Sequence, residues 1–568
     1  MSQPARKLFE LRQYQWECLG AIRQAREKGV RRQLVALPTG TGKTVIFARI
    51  KSHLKLPGRM LVLTHREELI EQAVAKLRQA NPNLSVQVER AALSASDDAE
   101  VVVASVPTLG RSDMVRVGRI DPEQFSAIVV DEAHHAVAPT YMRILRHFRL
   151  FEPESDKLLV GFTATPLRGD GTPLERVFEK IVYSRPITDM ITLGYLCPIV
   201  GYRIGTDVSL SGVRTHMGDF AEGSLGEAIN VSPRNAAIVS ACLRFAPEAK
   251  ALVFCAGVAH AQALARAFVL SGISARAVWG LMPSEDRAAA IASFREGSSK
   301  VLTNCAVLTE GFDEPGIGCL VLARPTQSPL LYMQMVGRGT RPAPGKHALK
   351  VIDVADRSER FELMNLSRLF GLPAHFDLAG HSVTHVRRMM EEIGKQRPFA
   401  DWSEVRTPEE LKNLPRHPLL RAPRIDEEVL DHSGFAWLKL PDGSYRVPLG
   451  GGRWLGISRN LLGKYEILKH SASTGPLGEE PDLASALARA DAIIERRHPE
   501  AVALLRQDCG WRSLPATSRQ VAYMRHLGLA PPPRLTRGEA QLLITRALSG
   551  EHQVRAWARE PNLPSPMY

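Results

Sequence analysis

Within ALPTGTGKT (36–44), glycines, threonines and a lysine fall at spacings that suit a polyphosphate. Gly40 and Gly42 let backbone N–H groups approach phosphate oxygens with no Cβ in the way. Lys43 supplies a point charge to the β- and γ-phosphates and Thr44 a hydroxyl to Mg²⁺, with Thr39 and Thr41 completing the loop. Leu37 departs from the general pattern, which has its first glycine there. Further along, VVDEAHH (129–135) ends an apolar run in two adjacent carboxylates. Asp131 is suited to hold Mg²⁺ through its water shell, and Glu132 to polarise an attacking water as general base. His134 reads as a residue that couples this turn to its surroundings and His135 as structural, because no third ligand for a metal accompanies them.

Both motifs need strands to aim them. Short β-branched runs alternate with helical patterns from about residue 33 to 355: QLVAL (33–37), MLVLT (60–64), VVVAS (101–105), AIVVD (127–131) and LLVGFT (158–163), then ALVFC (251–255), KVLTN (300–304), CLVLA (319–323) and LKVID (349–353). Runs this short and apolar, separated by helices, read as parallel strands buried on both faces. Two such series predict two open α/β sheets with their sites at the strand C-termini. Residues 376–430 are polar and rich in Arg and Pro, and read as helices and linker. From Phe435 to Leu468, FAWLKL, SYRVPL and RWLGIS alternate with turn residues (Pro441-Asp442-Gly443, then GGG at 450–452), the pattern of a β-meander. Beyond Asp482 the chain reads helical, with Thr517/Gln520 and Thr536/Glu539 placed as capping boxes and Gly528 as a helix stop. The expected divisions are 1–190, 196–375, a linker 376–430, a meander 431–475 and a helical module 480–568.

The bulk composition is compatible with this. At 568 residues the chain predicts three or four units of ~100–200 residues each. A net charge of +13 favours phosphate-bearing partners. No apolar run reaches the ~18 residues that cross a bilayer, and the N-terminus lacks the apolar core of a secretory signal, so a cytoplasmic protein with no membrane partner is expected. The seven cysteines include no C-x-x-C pair, which supports neither a zinc finger nor a disulfide framework.

The order of motifs across residues 10–355 resembles the superfamily 2 DEAD/DEAH-box helicases. LRQYQ (11–15) resembles the adenine-reading Q motif, LTHREELIEQ (63–72) motif Ia, ASVPTL (104–109) motif Ib and GFTATP (161–166) motif III. VFCAGVAHA (253–261), LTNCAVLTEGFDEPG (302–316) and QMVGRGTRP (334–342) resemble motifs IV, V and VI. The stretches 165–198 and 322–356 are similar to the RadD-like and type III restriction-like group. The resemblance implies two tandem RecA-like P-loop domains with parallel sheets, followed by the small β-meander and the helical C-terminal region. It further implies that Gln15 contacts the base, that Gly311 and Asp313 sense the γ-phosphate, and that Gln334, Arg338 and Arg341 face the nucleotide, with Arg341 the preferred arginine finger. Thr64, Arg66, Thr108 and Thr303 would contact nucleic-acid phosphates.

The function this implies is an ATP- and Mg²⁺-dependent DNA helicase or translocase of bacterial repair, recombination or defence. An RNA helicase, or an ATP-controlled clamp that binds without unwinding, would use the same cleft. Thr163 and Gln334 depart from the usual DEAD-box RNA pattern and favour DNA. Arg519, Arg525, Arg537 and Arg546 of the C-terminal helices suit phosphates or a protein partner as well as they suit a solvated face. Trp437, Tyr445 and Trp454 read as core of the meander. PDLASALARADAIIERR (481–497) reads as helix and not as a nuclease.

Overall fold

The computed structural model describes residues 10–557 except 92, 165–173, 217, 310, 359–360, 397–404, 414–426, 441–442, 451–452, 461–462, 471–473, 528, 530 and 533. The segment 165–173 at the end of motif III, most of the two expected meander turns and the helix stop at Gly528 therefore lie outside the described residues. The chain forms two compact units, Met1–Thr384 and His385–Tyr568.

The first unit holds two parallel sheets. The first is built from β1 (Arg32–Ala36), β2 (Arg59–Thr64), β3 (Val86–Glu89), β4 (Val101–Ser105), β5 (Phe125–Asp131), β6 (Leu158–Thr163) and β7 (Lys180–Ser184), in the spatial order β3-β4-β2-β5-β6-β1-β7. Helices such as Lys43–His53 and Glu67–Ala80 form the crossovers between consecutive strands. Covered on both faces, the central strands can be apolar throughout, and Val101–Ser105 is buried at every position. Gly161 in β6 is a packing requirement: a Cβ there would lie 2.4 Å from the Phe178 ring and 2.7 Å from Ala133 Cβ. Its absence lets the turn after β5, which carries the DEAH sequence, lie close against β6.

The second sheet contains β8 (Ile199–Ser209), then, after a short hairpin of β9 (Thr215–His216) and β10 (Asp219–Phe220), the strands β11 (Lys250–Phe254), β12 (Ala275–Trp279), β13 (Val301–Cys305), β14 (Ile317–Leu322) and β15 (Leu349–Arg357). Its order is β12-β13-β11-β14-β15-β8, and all its ladders are parallel. A fully buried, doubly hydrogen-bonded pair, Arg234 with Asp356, fastens helix Ser232–Phe245 to the end of β15 at 2.8 Å.

In the second unit, β16 (Leu438–Lys439), β17 (Tyr445–Gly450), β18 (Arg453–Arg459), β19 (Tyr465–His470) and β20 (Thr474–Glu480) form an antiparallel meander. Its alternate residues Tyr445, Val447, Leu455, Ile457 and Ile467 pack with helix Leu483–Arg497 in one core. The meander and the helix that follows it are thus one structural body, where the sequence suggested a division near residue 475. Trp437 is core, its indole N–H donating to Asp491 at 3.1 Å. A smaller core of Met524, Leu529, Leu535, Ala540 and Leu543 joins helices Ser518–His526 and Arg537–Trp557. Both expected capping boxes are present, Thr517 with Gln520 and Thr536 with Glu539.

Candidate active site

β1 ends where the glycine-rich loop begins. The Leu37 N–H donates to Thr163 O at 2.9 Å, tying the start of the loop to the end of β6. Leu37 is fully buried, so the residue that departs from the general pattern extends the core of β1. Gly40 (φ +87°) and Gly42 (φ +76°) take the left-handed backbone that favours glycine, and Gly42 caps the helix that begins at Lys43. The loop is braced from behind. Thr41 Oγ1 donates to Pro38 O at 2.8 Å, and Thr41 O accepts from the Tyr14 hydroxyl. Gln15 is buried against this loop. Its Oε1 accepts from Arg12 N at 2.9 Å, and its Nε2 points at Thr41 O from 3.5 Å. The amide of Gln15 thus contacts the glycine loop. Tyr14 and Arg12 both meet the ring of Tyr195, a cluster that motif spacing did not reveal.

Lys43 Nζ lies 3.5 Å from Glu132 Oε1, with both side chains buried. It makes no hydrogen bond among the described residues, and neither does the buried Thr39 Oγ1. Glu132 adopts φ +49°, a conformation costly for a residue with a Cβ. That backbone turns its carboxylate towards Lys43, while Oε2 lies 3.5 Å from His134 Nδ1. His134 Nδ1 is also 3.4 Å from Thr163 Oγ1, so one imidazole touches the ends of both β5 and β6. His135 packs its ring against His65, His134 and Tyr141. Burial, then the neighbouring Glu132, push the Asp131 carboxyl up to about 6, while Lys43 pulls it down. Asp131 and Glu132 thus lie together beside Lys43, and a divalent cation would be drawn to the paired carboxylates. Among the described residues no three His, Cys, Asp or Glu side chains group as a metal cage. A cation beside Thr44 and Asp131 would therefore take most of its ligands from phosphate and water, the habit of Mg²⁺.

The second sheet faces this loop across a close contact. A Cβ built on Gly337 would lie 2.5 Å from Thr39 Cβ, and one built on Gly40 would lie 3.2 Å from Arg341 Cγ. Arg341 pairs with Asp313. Arg338 is buried inside its own lobe, donating to Phe312 O at 3.0 Å and Gln334 O at 3.4 Å. It thereby fixes the chain around Gly311 and Asp313 to the helix that carries buried Gln334. Gly311 O also accepts from Gln72 of the first lobe at 2.6 Å. Of the expected arginines, Arg341 lies against the glycine loop, whereas Arg338 is held within its own lobe by Phe312 O and Gln334 O.

The four residues expected to contact nucleic-acid phosphates, Thr64, Arg66, Thr108 and Thr303, are placed differently from one another. Thr303 is fully buried in the middle of β13, its hydroxyl donating to Ala261 O at 2.8 Å. Thr64 is fully buried at the end of β2, with Oγ1 3.4 Å from Arg66 O. Neither hydroxyl is presented to an external strand, because both serve backbone carbonyls within their own lobes. Thr108 is half-buried, and its hydroxyl accepts from Ala91 N at 3.3 Å. Arg66 reaches across the lobes to Val307 O at 3.2 Å. Arg66 and Gln72 thus link the lobes, a role that only the fold reveals.

Residues 8–168 match the type III restriction enzyme res subunit, 234–343 the helicase conserved C-terminal domain, and 417–562 the C-terminal domain of mitochondrial helicase Irc3. The chain belongs to the superfamily 2 helicases and is related to the helicase subunits of type I and type III restriction enzymes. It is also related to the Irc3-like proteins, a kinship that the motifs alone did not name. It is 36% identical over 355 residues to IRC3 of Saccharomyces cerevisiae, covering 60% of this chain and 51% of that protein. Against irc3 of Schizosaccharomyces pombe it is 35% identical over 374 residues, covering 64% of this chain and 60% of that protein. The endonuclease subunit of the type I restriction enzyme EcoAI of Escherichia coli is 24% identical over 383 residues, covering 62% of this chain and 46% of that subunit. The chain therefore spans about half to three fifths of the length of its Irc3 relatives. Among the described residues no helix is long and apolar enough to cross a membrane.

Proposed function

We propose that this protein hydrolyses ATP between its two lobes and uses the cycle to move on nucleic acid, with DNA the favoured track. The carrying observation is the buried Lys43 ammonium, which among the described residues makes no hydrogen bond, paired at 3.5 Å with Glu132 behind a glycine loop that Arg341 faces. Lys43 and the loop N–H groups bind the phosphates. Thr44 and Asp131 hold Mg²⁺, which when bound draws charge from the phosphate oxygens. Glu132 accepts the proton of the attacking water, with its carboxylate oriented by the left-handed backbone and flanked by His134. Arg341 stabilises charge developing on the γ-phosphoryl oxygens once the lobes meet. Each hydrolysis changes what holds the lobes together, and Arg66 and Gln72, bonded to Val307 O and Gly311 O, link the lobes through that change.

DNA is favoured because the relatives include restriction-enzyme subunits. The setting would be bacterial repair, recombination or defence in the cytoplasm, with residues 385–568 selecting the substrate or a protein partner. Measuring ATPase stimulation by single-stranded DNA, duplex DNA and RNA, beside strand displacement, tests this. Stimulation by RNA alone would overturn the DNA assignment. Stimulation by DNA without displacement or translocation would replace the motor with a clamp.

A further inference from the structure

Lys346 lies four residues beyond motif VI (334–342), within the stretch 322–356. It follows Gly345, whose φ of +75° turns the chain back, and its N–H donates to Ala343 O at 3.1 Å. The half-buried ammonium then donates three hydrogen bonds to backbone carbonyls: Gly339 O at 2.5 Å, Arg341 O at 2.9 Å and Pro315 O at 3.2 Å. Three N–H donors meet three acceptors, the full capacity of an ammonium group. Two of the acceptors lie just beyond helix Pro329–Gly337, where carbonyls have no intrahelical partner. The third lies two residues from Asp313, the ion-pair partner of Arg341. Cys197 holds the carbonyl between them: its N–H donates to Thr340 O at 2.8 Å. Three successive carbonyls, 339 to 341, are thus fixed by side-chain or backbone donors from outside motif VI.

We infer that Lys346 is the positioning residue for Arg341, holding in one frame the backbone that projects this guanidinium over Gly40 and the backbone that carries Asp313. The inference rests on the reading of Arg341 as the group that stabilises the transferring phosphoryl. An ammonium suits the task because it is compact and its donors diverge, whereas a planar guanidinium directs its donors within one plane. A loosened 339–341 segment would let Arg341 wander by about 1 Å, a displacement that can cost about 100-fold in rate without a matching loss of substrate binding.

The test is single-turnover and steady-state ATP hydrolysis by the full chain with a saturating single-stranded oligodeoxynucleotide, in a cycle of Lys346→Met and Arg341→Ala. Methionine keeps most of the length and apolar volume of the stem and removes every donor. Lys346→Met should lower kcat by about 10- to 100-fold and leave KM for ATP within about threefold. In the Arg341→Ala background the same substitution should change kcat less than about twofold, because the group it positions is gone. Wild-type kcat in Arg341→Ala would refute the arginine reading itself. A slow Arg341→Ala beside a fully active Lys346→Met would refute the positioning role alone. An equal loss from Lys346→Met in both backgrounds would mark a general effect on folding and would also refute it.

Discussion

Gly337→Ala is a small change with a large expected consequence. Gly337 is the last residue of helix Pro329–Gly337 and does not take a positive φ, so its backbone accepts alanine without strain. The substitution therefore suits its own lobe. Its new Cβ, however, would lie 2.5 Å from Thr39 Cβ, 3.1 Å from Thr39 Oγ1 and 3.2 Å from Thr39 Cγ2. Carbon atoms in contact sit about 3.5–4.0 Å apart, so the helix and the glycine loop must separate by about 1 Å or more. Thr39 Cβ is fixed to the loop backbone, and no side-chain rotation relieves the overlap. Arg341 travels with the helix. The expected result is a kcat about 100-fold lower, with KM for ATP changed by less than about threefold and the thermal midpoint preserved. Steady-state ATPase assays with calorimetry read both quantities. Gly339→Ala is the contrasting control: its Cβ would lie 2.4 Å from Leu349 Cδ1, so it should reduce stability from within one lobe. In a Thr39→Gly background, Gly337→Ala should cost less than it does in the wild type, since the atoms that are struck are removed. A Gly337→Ala protein with wild-type kcat would show that hydrolysis does not require this contact, and the argument from lobe closure would fail.

Lys43→Ala should abolish ATP hydrolysis in a folded protein, and Glu132→Gln should retain ATP binding while hydrolysing very slowly; nucleotide-binding and turnover measurements separate the two, and wild-type turnover in either would remove that residue from its role. Arg341→Ala should lower kcat by about 10³-fold with ATP binding within a few-fold of normal, and Arg341→Lys should not restore it, because a point charge lacks the planar fork. Burial pushes the Asp353 carboxyl up to about 6 from 3.8, although it accepts from the Tyr332 hydroxyl and the Leu366 N–H. The folded chain therefore binds a proton there that the unfolded chain releases, and wild-type stability relative to Asp353→Asn should fall as pH rises through that window. Urea unfolding at acid and neutral pH checks this, and a difference that grows with pH would contradict it. Affinity for a labelled oligonucleotide should fall steeply with added salt, because backbone phosphates are gripped through counterion release; a flat response in anisotropy titrations would point to base stacking instead.

The residues that determine the family stand out in the sequence because the chemistry constrains them locally. A glycine loop followed by Lys43 and Thr44, and adjacent acids after an apolar run, need only their own strand ends to be recognised. The central strands were equally legible, since burial on both faces makes them apolar throughout: β1, β2, β4, β5 and β6 coincide with their runs, as do β11, β13, β14 and β15. Strands β3, β7, β8 and β12 escaped notice because they form the edges of their sheets. With one side unpaired and their faces partly wet, they carry polar residues, as in KIVYS and ARAVW. The last meander strand, TGPLGEE, lacks alternation for a similar reason. What only the tertiary structure decided is which polar side chains face the cleft. Thr64 and Thr303 sit in motifs whose threonines read as phosphate contacts, yet both turn inward to carbonyls of their own lobes. Arg66, Gln72 and Lys346 carry no motif signature for their roles, because their partners are backbone carbonyls hundreds of residues away or around a turn. A carbonyl has no residue identity, so sequence spacing cannot announce it. The close approach of Gly337 to Thr39 joins two lobes whose chemistry is written separately, and it arises only when both sheets present the C-terminal ends of their strands to the same cleft.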